Sequence, residues 1–343
     1  MKRFEFQPAP GRIVFGRGAF DTLADEVDAM GWVKPLIITT AGRSATAAMQ
    51  MTREIPGARV FDRAEIHAPV TVVDAAMAIA EGCDGLISYG GGSAVGVAKV
   101  VAMERGLKII AVPTTFSGSE MTPAWSITKD GKKTGGKSQN AVPRLVIYDP
   151  EITETMPRQI AVTSAINAMA HCVEALYPSG LSPLVYNLSL DALRRMSAAL
   201  AAEGPNAADE LLYGAHLSGL VMAQSGMAFH HKLCHVLGGF GLPHSETHTI
   251  LLPHAIAYNQ KAAPVALRAV AEAIGAQTAA GGMWDLAKSS GAPMLLTDIG
   301  FNTSDISRAV DLVMTNPYPN PRPMEPSAIA ATLQAACDGD RPK

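Results

Sequence analysis

Over the first 150 residues, short uninterrupted apolar runs alternate with longer segments of helical spacing. Residues 4–6 and Arg12–Phe15 read as short opening strands, 20–30 as a helix and 34–40 (KPLIITT) as a buried strand. Arg59–Phe61 is strand-like, 70–81 helical, 85–89 (GLISY) a strand, 93–104 a helix and 108–112 (KIIAV) a strand. Strands of a few apolar residues separated by helical stretches of about ten predict an α/β domain, a Rossmann-like parallel sheet with helices on both faces. Residues 125–149 break the alternation: WSITKDGKKTGGKS set against RLVIYDP predicts an antiparallel hairpin with a lysine- and glycine-rich tip. From about residue 160 onward, long Ala- and Leu-rich segments predict helices alone, and the proline-rich 316–326 (NPYPNPRPMEP) a late loop. The shift divides the chain into an α/β domain over 1–155 and an all-α domain over 156–343.

Composition agrees with two cores. A chain of 343 residues, 48% hydrophobic, exceeds what one core usually organises. A net charge of −3 without a long basic run argues against nucleic acid or an anionic membrane as the main partner. The four cysteines, Cys83, Cys172, Cys234 and Cys337, show no CxxC spacing, so a disulfide scaffold or zinc ribbon is not indicated and a reducing compartment is expected. The N-terminus lacks an apolar core of signal-peptide length, and no run approaches about 18 apolar residues; a cytoplasmic protein is the expectation.

Three stretches carry chemistry. Tyr89-Gly90-Gly91-Gly92-Ser93 lies between a strand and a helix, where glycines admit a ligand close to the backbone and a helix N-terminus favours an anion. A tight turn is the alternative for the glycines alone. VPTTFSGSE follows the next strand with Thr114, Thr115, Ser117 and Ser119; ligands in open parallel sheets bind beyond strand carboxyl ends, so the two together predict a nucleotide site. The third is 226–244 (GMAFHHKLCHVLGGFGLPH), a helix running into a glycine-rich turn. His231 and His235 stand four apart on it and share a face, His244 follows the turn, and Asn167 and His171 repeat the spacing on an upstream helix. Such pairs can converge on one polar pocket.

GGGSAVGVAK, VPTTFSGSEMTPAWSIT, KKTG, VIYDP, NAMAHCVEALY, HHKLCHVLGG and LPHSETH, in this order over roughly residues 5–325, resemble the iron-containing alcohol dehydrogenase superfamily, and within it the maleylacetate reductases. The resemblance implies an α/β nucleotide domain followed by an all-helical domain (the dehydroquinate synthase-like fold), and a homodimer. Metal-dependent members ligate a divalent ion through one Asp and three His, at positions matching Asn167, His171, His235 and His244. Asn at the Asp position removes the one negative ligand, which weakens the site for a divalent ion. The resemblance implies a metal-free enzyme here.

It also implies reduction of maleylacetate to 3-oxoadipate by NADH or NADPH. Hydride added to the enone builds charge on the ketone oxygen, and a proton then reaches the neighbouring carbon. Such chemistry needs hydrogen-bond donors, an acid and cations for two carboxylates. His171, His235, His244 and Asn167 suit the first two duties, with His231 beside them. Lys232 is the first candidate for a carboxylate, Arg144 and Arg322 weaker ones. By resemblance Lys133, next to Lys132, reaches the nicotinamide ribose region; an exposed loop tip is its alternative. Gly91, Gly92, Ser93, Thr114, Thr115 and Ser117 are expected at the pyrophosphate. NAD-selective relatives carry Asp after the strand of 34–40, where this chain has Thr39-Thr40-Ala41-Gly42-Arg43; Thr40 is expected at the cofactor, Arg43 facing a 2′-phosphate, and both nucleotides are expected to serve. His67 is a further candidate. Three other classes stay open: a metal-dependent alcohol or polyol dehydrogenase, a dehydroquinate synthase-like cyclase that retains NAD, and a non-catalytic nucleotide-binding module.

Overall fold

The computed structural model describes residues 4, 6, 11–178, 180–202 and 206–343. The strand expected over 4–6 lies in part outside the described residues. Two compact units divide between Met156 and Pro157.

The first unit holds eight strands and five α-helices: β1 (Arg12–Phe15), α1 (Leu23–Ala29), β2 (Pro35–Ile38), α2 (Arg43–Glu54), β3 (Arg59–Phe61), α3 (Val70–Ile79), β4 (Gly85–Gly90), α4 (Gly92–Arg105), β5 (Ile109–Pro113), β6 (Ala124–Lys129), β7 (Lys132–Lys137), β8 (Leu145–Tyr148) and α5 (Pro150–Glu154). Six strands form one parallel sheet in the order β1-β8-β5-β4-β2-β3. Its inner strands are buried along their whole length, which is why they read as unbroken apolar runs. Ile37, Ile87, Ile110 and Ile147 pack one face against Leu23 and Val27 of α1 and Ala48 and Met51 of α2.

The expected pairing of 125–138 with the RLVIYDP run is wrong. β6 pairs antiparallel with β7 across Asp130-Gly131, and Leu145–Tyr148 is an inner parallel strand between β1 and β5. Asp130 (φ 50°) and Gly131 (φ 72°) both take the left-handed conformation that a two-residue Asp-Gly hairpin turn needs, so the lysine-rich ribbon closes on itself. The apolar LVIY run is then free to fill the sheet.

The second unit is helical: α6 (Arg158–Ala175), α7 (Pro183–Ala201), α8 (Ala207–Gln224), α9 (Phe229–Gly238), α10 (His244–Asn259), α11 (Pro264–Ala273), α12 (Ala279–Ser289), α13 (Ile306–Thr315) and α14 (Pro326–Asp338). Leu233 and Leu237 of α9, Leu251 of α10, Val313 of α13 and Leu333 of α14 share one core. Packing on that core leaves the polar residues of α9 to face α6 and α10. Among the described residues no helix is long and apolar enough to cross a membrane.

Candidate active site

In the sheet unit the chain leaves β2 for β3 in one direction and β4 for β5 in the other, so the neighbours β2 and β4 flank a reversal of strand order. Ligands of open parallel sheets bind outside the carboxyl ends of strands at such a reversal. Thr39 and Thr40 follow β2 there, and Gly91 follows β4. Thr39 Oγ1 is buried without a hydrogen-bond partner. A Cβ at Gly91 would stand 2.6 Å from Thr115 Oγ1, and one at Gly92 3.5 Å from Ser117 Cβ. The Thr114 amide donates to the Gly90 carbonyl (3.1 Å), locking the two strand ends together. Gly91 caps α4 with no side-chain hydrogen bond, so the first-turn amides at Gly92 and Ser93 remain available to an anion. Glycines that touch threonine and serine, uncapped amides and an orphaned hydroxyl fit a nucleotide pyrophosphate. Arg43 opens α2 and donates to the Thr155 carbonyl (2.8 Å). Lys133 lies on the exposed strand β7, Arg144 is exposed just before β8, and His67 is exposed in a strained turn (φ 64°) whose carbonyl accepts from Thr128 Oγ1.

Lys99 carried no expectation and proves central to this unit. It is 1% exposed, and its Nζ reaches the carbonyl oxygens of Ser119 (2.7 Å), Thr122 (2.7 Å) and Ala124 (2.8 Å) and the Thr122 hydroxyl (3.0 Å). Burial, offset in part by Glu120, lowers the ammonium to about 7. Glu120, also buried, accepts from Tyr148 Oη (2.8 Å) and Ser117 Oγ (3.4 Å), and burial raises its carboxyl.

In the helical unit three helices each present an i, i+4 pair: Asn167 and His171 on α6, His231 and His235 on α9, His244 and His248 on α10. Glu174 extends the α6 stripe by three residues. It accepts hydrogen bonds from the amides of Ala228 and His230 and from His231 Nδ1 (2.7, 2.7 and 2.6 Å). His231 Nε2 lies 3.4 Å from His171 Nε2. The His244 and His248 ring centroids lie 4.3 Å apart with the rings tilted by 54°, His230 Nε2 donates to the His248 carbonyl (2.9 Å), and His235 Nδ1 meets Tyr318 Oη at 3.0 Å. Lys232 is nearly buried, with Nζ 5.6 Å from the centre of the Tyr318 ring.

Burial sets the charge of this cluster. It lowers His230 to about 4 and His231 to about 3, and holds His171 and His248 well below the usual range, each pressed further by neighbouring imidazoles. At neutral pH these four imidazoles are neutral, each with one donor and one acceptor nitrogen. Burial also raises Glu174, with His230 and the backbone amides of Ala228, His230 and His231 pulling it back. Lys232 is lowered by burial.

The positions that align with metal ligands offer a divalent ion imidazoles and an amide but no carboxylate. Among the described residues the triple whose ligand atoms lie within 4.8 Å of one another is His230, His231 and His248, not the four positions that align with metal ligands. His230 has one nitrogen engaged by protein and His231 has both, and His235 turns to Tyr318. Asn167 offers a neutral Oδ1, buried without a partner, while Glu174 stands behind His231 with both oxygens occupied. No anionic ligand is left for a hard cation.

Glu174, His230, His248 and Tyr318 had no role in the sequence reading. Glu174 carried a local signal, a carboxylate three residues after His171 in an apolar helix. Tyr318 carried none: it arrives from the proline-rich loop, which Asn320 pins to Asn259 through paired amide hydrogen bonds (2.7 and 3.0 Å). Arg322 lies in the same loop, its guanidinium 4.2 Å from the centre of the Tyr258 ring.

Residues 10–150 match the family model described as iron-containing alcohol dehydrogenase, and 161–337 the model for the C-terminal part of the Fe-containing alcohol dehydrogenase family. The chain is 42% identical to a maleylacetate reductase of Burkholderia cepacia over 100% of both chains, and 37% identical to one of Sphingobium indicum over 98% of each. It superposes on the crystal structure of maleylacetate reductase from Rhizobium sp. strain MTP-10005 with a TM-score of 0.92, at 39% identity and 100% coverage of both. The sulfoacetaldehyde reductase of Bifidobacterium kashiwanohense, solved in complex with NAD+, shares the fold at 23% identity, with a TM-score of 0.87 over 98% of this chain and 100% of that one.

Proposed function

The chain belongs to the iron-containing alcohol dehydrogenase family, and from that premise we propose that it reduces the carbon–carbon double bond of maleylacetate to 3-oxoadipate with NADH or NADPH, without a metal. The observation that carries this reading is a cluster of buried imidazoles held neutral, with Asn167 one helical turn before His171, in which Glu174 is already committed to protein donors.

The nicotinamide, when bound, supplies the hydride. Neutral imidazole N–H groups donate to the ketone oxygen as it gains charge, and a protonated nitrogen then gives its proton to the carbon beside the ketone. The Asn167 amide adds a donor where a carboxylate would repel the enolate. Lys232, with its ammonium 5.6 Å from the centre of the Tyr318 ring, supplies a cation for a substrate carboxylate. Gly91, Gly92, Ser93, Thr114, Thr115 and Ser117 are assigned to the pyrophosphate, Thr40 to the adenosine side and Lys133 to the nicotinamide ribose. Thr39-Thr40-Ala41 places no carboxylate against a 2′-phosphate, which supports use of both nucleotides; the two should show affinities within about tenfold of each other. A cytoplasmic homodimer is part of the same reading.

The test follows loss of NADH absorbance with maleylacetate and with simple aldehydes, with and without chelator. Turnover of maleylacetate that survives the chelator is the expected result. Turnover of aldehydes alone, dependent on added divalent metal, would assign an alcohol dehydrogenase instead.

A further inference from the structure

Glu174 is 3% exposed and surrounded by donors: the Ala228 amide on Oε2, the His230 amide on Oε1, and His231 Nδ1 on Oε2. The two amides lie at the start of α9, where a helix has orphan N–H groups and the positive end of its dipole. Amides cannot exchange donor for acceptor. A carboxylate that accepts both is favoured as the anion, so the third contact is completed by a proton on His231 Nδ1. A neutral imidazole protonated there has a lone pair on Nε2. That lone pair faces His171 Nε2 at 3.4 Å, and two lone pairs would repel, so His171 Nε2 carries a proton and donates it to His231.

We propose that Glu174 is the positioning residue of this site: it fixes the tautomers of His231 and His171 so that hydrogen bonds run from His171 to His231 to Glu174. The Nε2 proton of His171 is then committed within the protein. On the maleylacetate reading, on which this consequence rests, the acid that protonates the substrate carbon is His235 or His244, and His171 and His231 act as a fixed wall beside it. Glutamine cannot replace Glu174 in this arrangement. With its oxygen toward Ala228 and His231, its NH2 meets the His230 amide donor to donor; flipped, its NH2 meets Ala228 and drives His231 to the other tautomer.

The experiment is long-range proton–nitrogen correlation on full-length protein labelled with 15N-histidine, paired with kinetics of Glu174→Gln. The native protein should show His231 protonated at Nδ1 and His171 at Nε2. In the variant the His231 tautomer should change or become mixed, and kcat should fall roughly 100-fold or more while KM and the NADH Kd move less than about threefold. A native His231 protonated at Nε2 overturns the proposal whether or not the variant folds, and so does a folded variant with native kcat. Native enzyme that ignores maleylacetate would remove the proposed substrate and leave the tautomer result to be read by itself.

Discussion

The ammonium of Lys99 lies 2.7 Å from the carbonyl oxygen of Thr122, joining the middle of α4 to the segment that follows β5. The glycine turn at the head of α4 and the Thr114–Ser117 hydroxyls are thereby held as one surface. Lys99→Met keeps the stem but leaves the carbonyls of Ser119, Thr122 and Ala124 without their donor. Stability should drop by about 3 kcal/mol, and the NADH Kd should rise about tenfold. Urea unfolding and a fluorescence titration measure the two. Lost stability with native NADH affinity would reduce Lys99 to a structural residue.

Gly91 tests the nucleotide cradle itself. Its φ of −86° is open to any residue, so the obstacle to a side chain is contact alone: a Cβ would stand 2.6 Å from Thr115 Oγ1 and 3.0 Å from Thr115 Cγ2. Gly91→Ala should push Thr115 into the space assigned to the pyrophosphate and weaken NADH by at least tenfold. Adding Thr115→Ala removes both clashing atoms at the cost of one hydroxyl assigned to the pyrophosphate, so the double variant should recover part of the affinity and match Thr115→Ala alone. A double variant no better than Gly91→Ala would show that Thr115 is not what the methyl displaces.

The fold was legible where local pattern decides it. Parallel strands announce themselves as apolar runs between glycines, and α9 shows its face through His231 and His235 at helical spacing. Leu145–Tyr148 misled because an apolar run after a lysine-rich hairpin looks like a partner strand; the Asp130-Gly131 turn, which closes β6 on β7, was the stronger signal. Tyr318 reaches His235 from 83 positions away, and Lys99 finds its acceptors in three carbonyls between Ser119 and Ala124; neither contact has a periodicity. Arg43, expected to face a 2′-phosphate, has its guanidinium on the Thr155 carbonyl.

Acid should unfold this protein early. Burial holds His230 near 4, His231 near 3 and His254 near 4, whereas in the unfolded chain each titrates near 6.5. Below pH 6.5 the unfolded state binds protons that the folded state refuses, so stability is full above 6.5 and falls as pH drops toward 4. Three such groups give a slope of up to about 4 kcal/mol per pH unit. Glu174 and Glu120, raised by burial, act in the opposite sense, but His171, His216 and His248, also held down by burial, add to the three. Urea midpoints measured from pH 7.5 to 5 should fall steadily; a flat profile across that range would mean that these imidazoles are not held neutral.

Asn167→Asp asks whether a single atom separates this site from a metal centre. Asn167 is 8% exposed and its Oδ1 has no partner among the described residues, so a carboxylate there enters a buried position one helical turn before His171. Without metal the variant should be destabilised by a few kcal/mol, since a buried unpaired charge is costly and protonates to escape it. With zinc or ferrous iron the same carboxylate supplies the missing anionic ligand. The melting temperature of the variant should then rise by several degrees on metal addition while the native protein does not respond. Maleylacetate turnover in the variant should fall at least tenfold, because an amide donor is replaced by a group that repels the enolate. A native protein that binds one equivalent of metal and is stabilised by it would remove the contrast, and with it the metal-free reading of the histidine cluster.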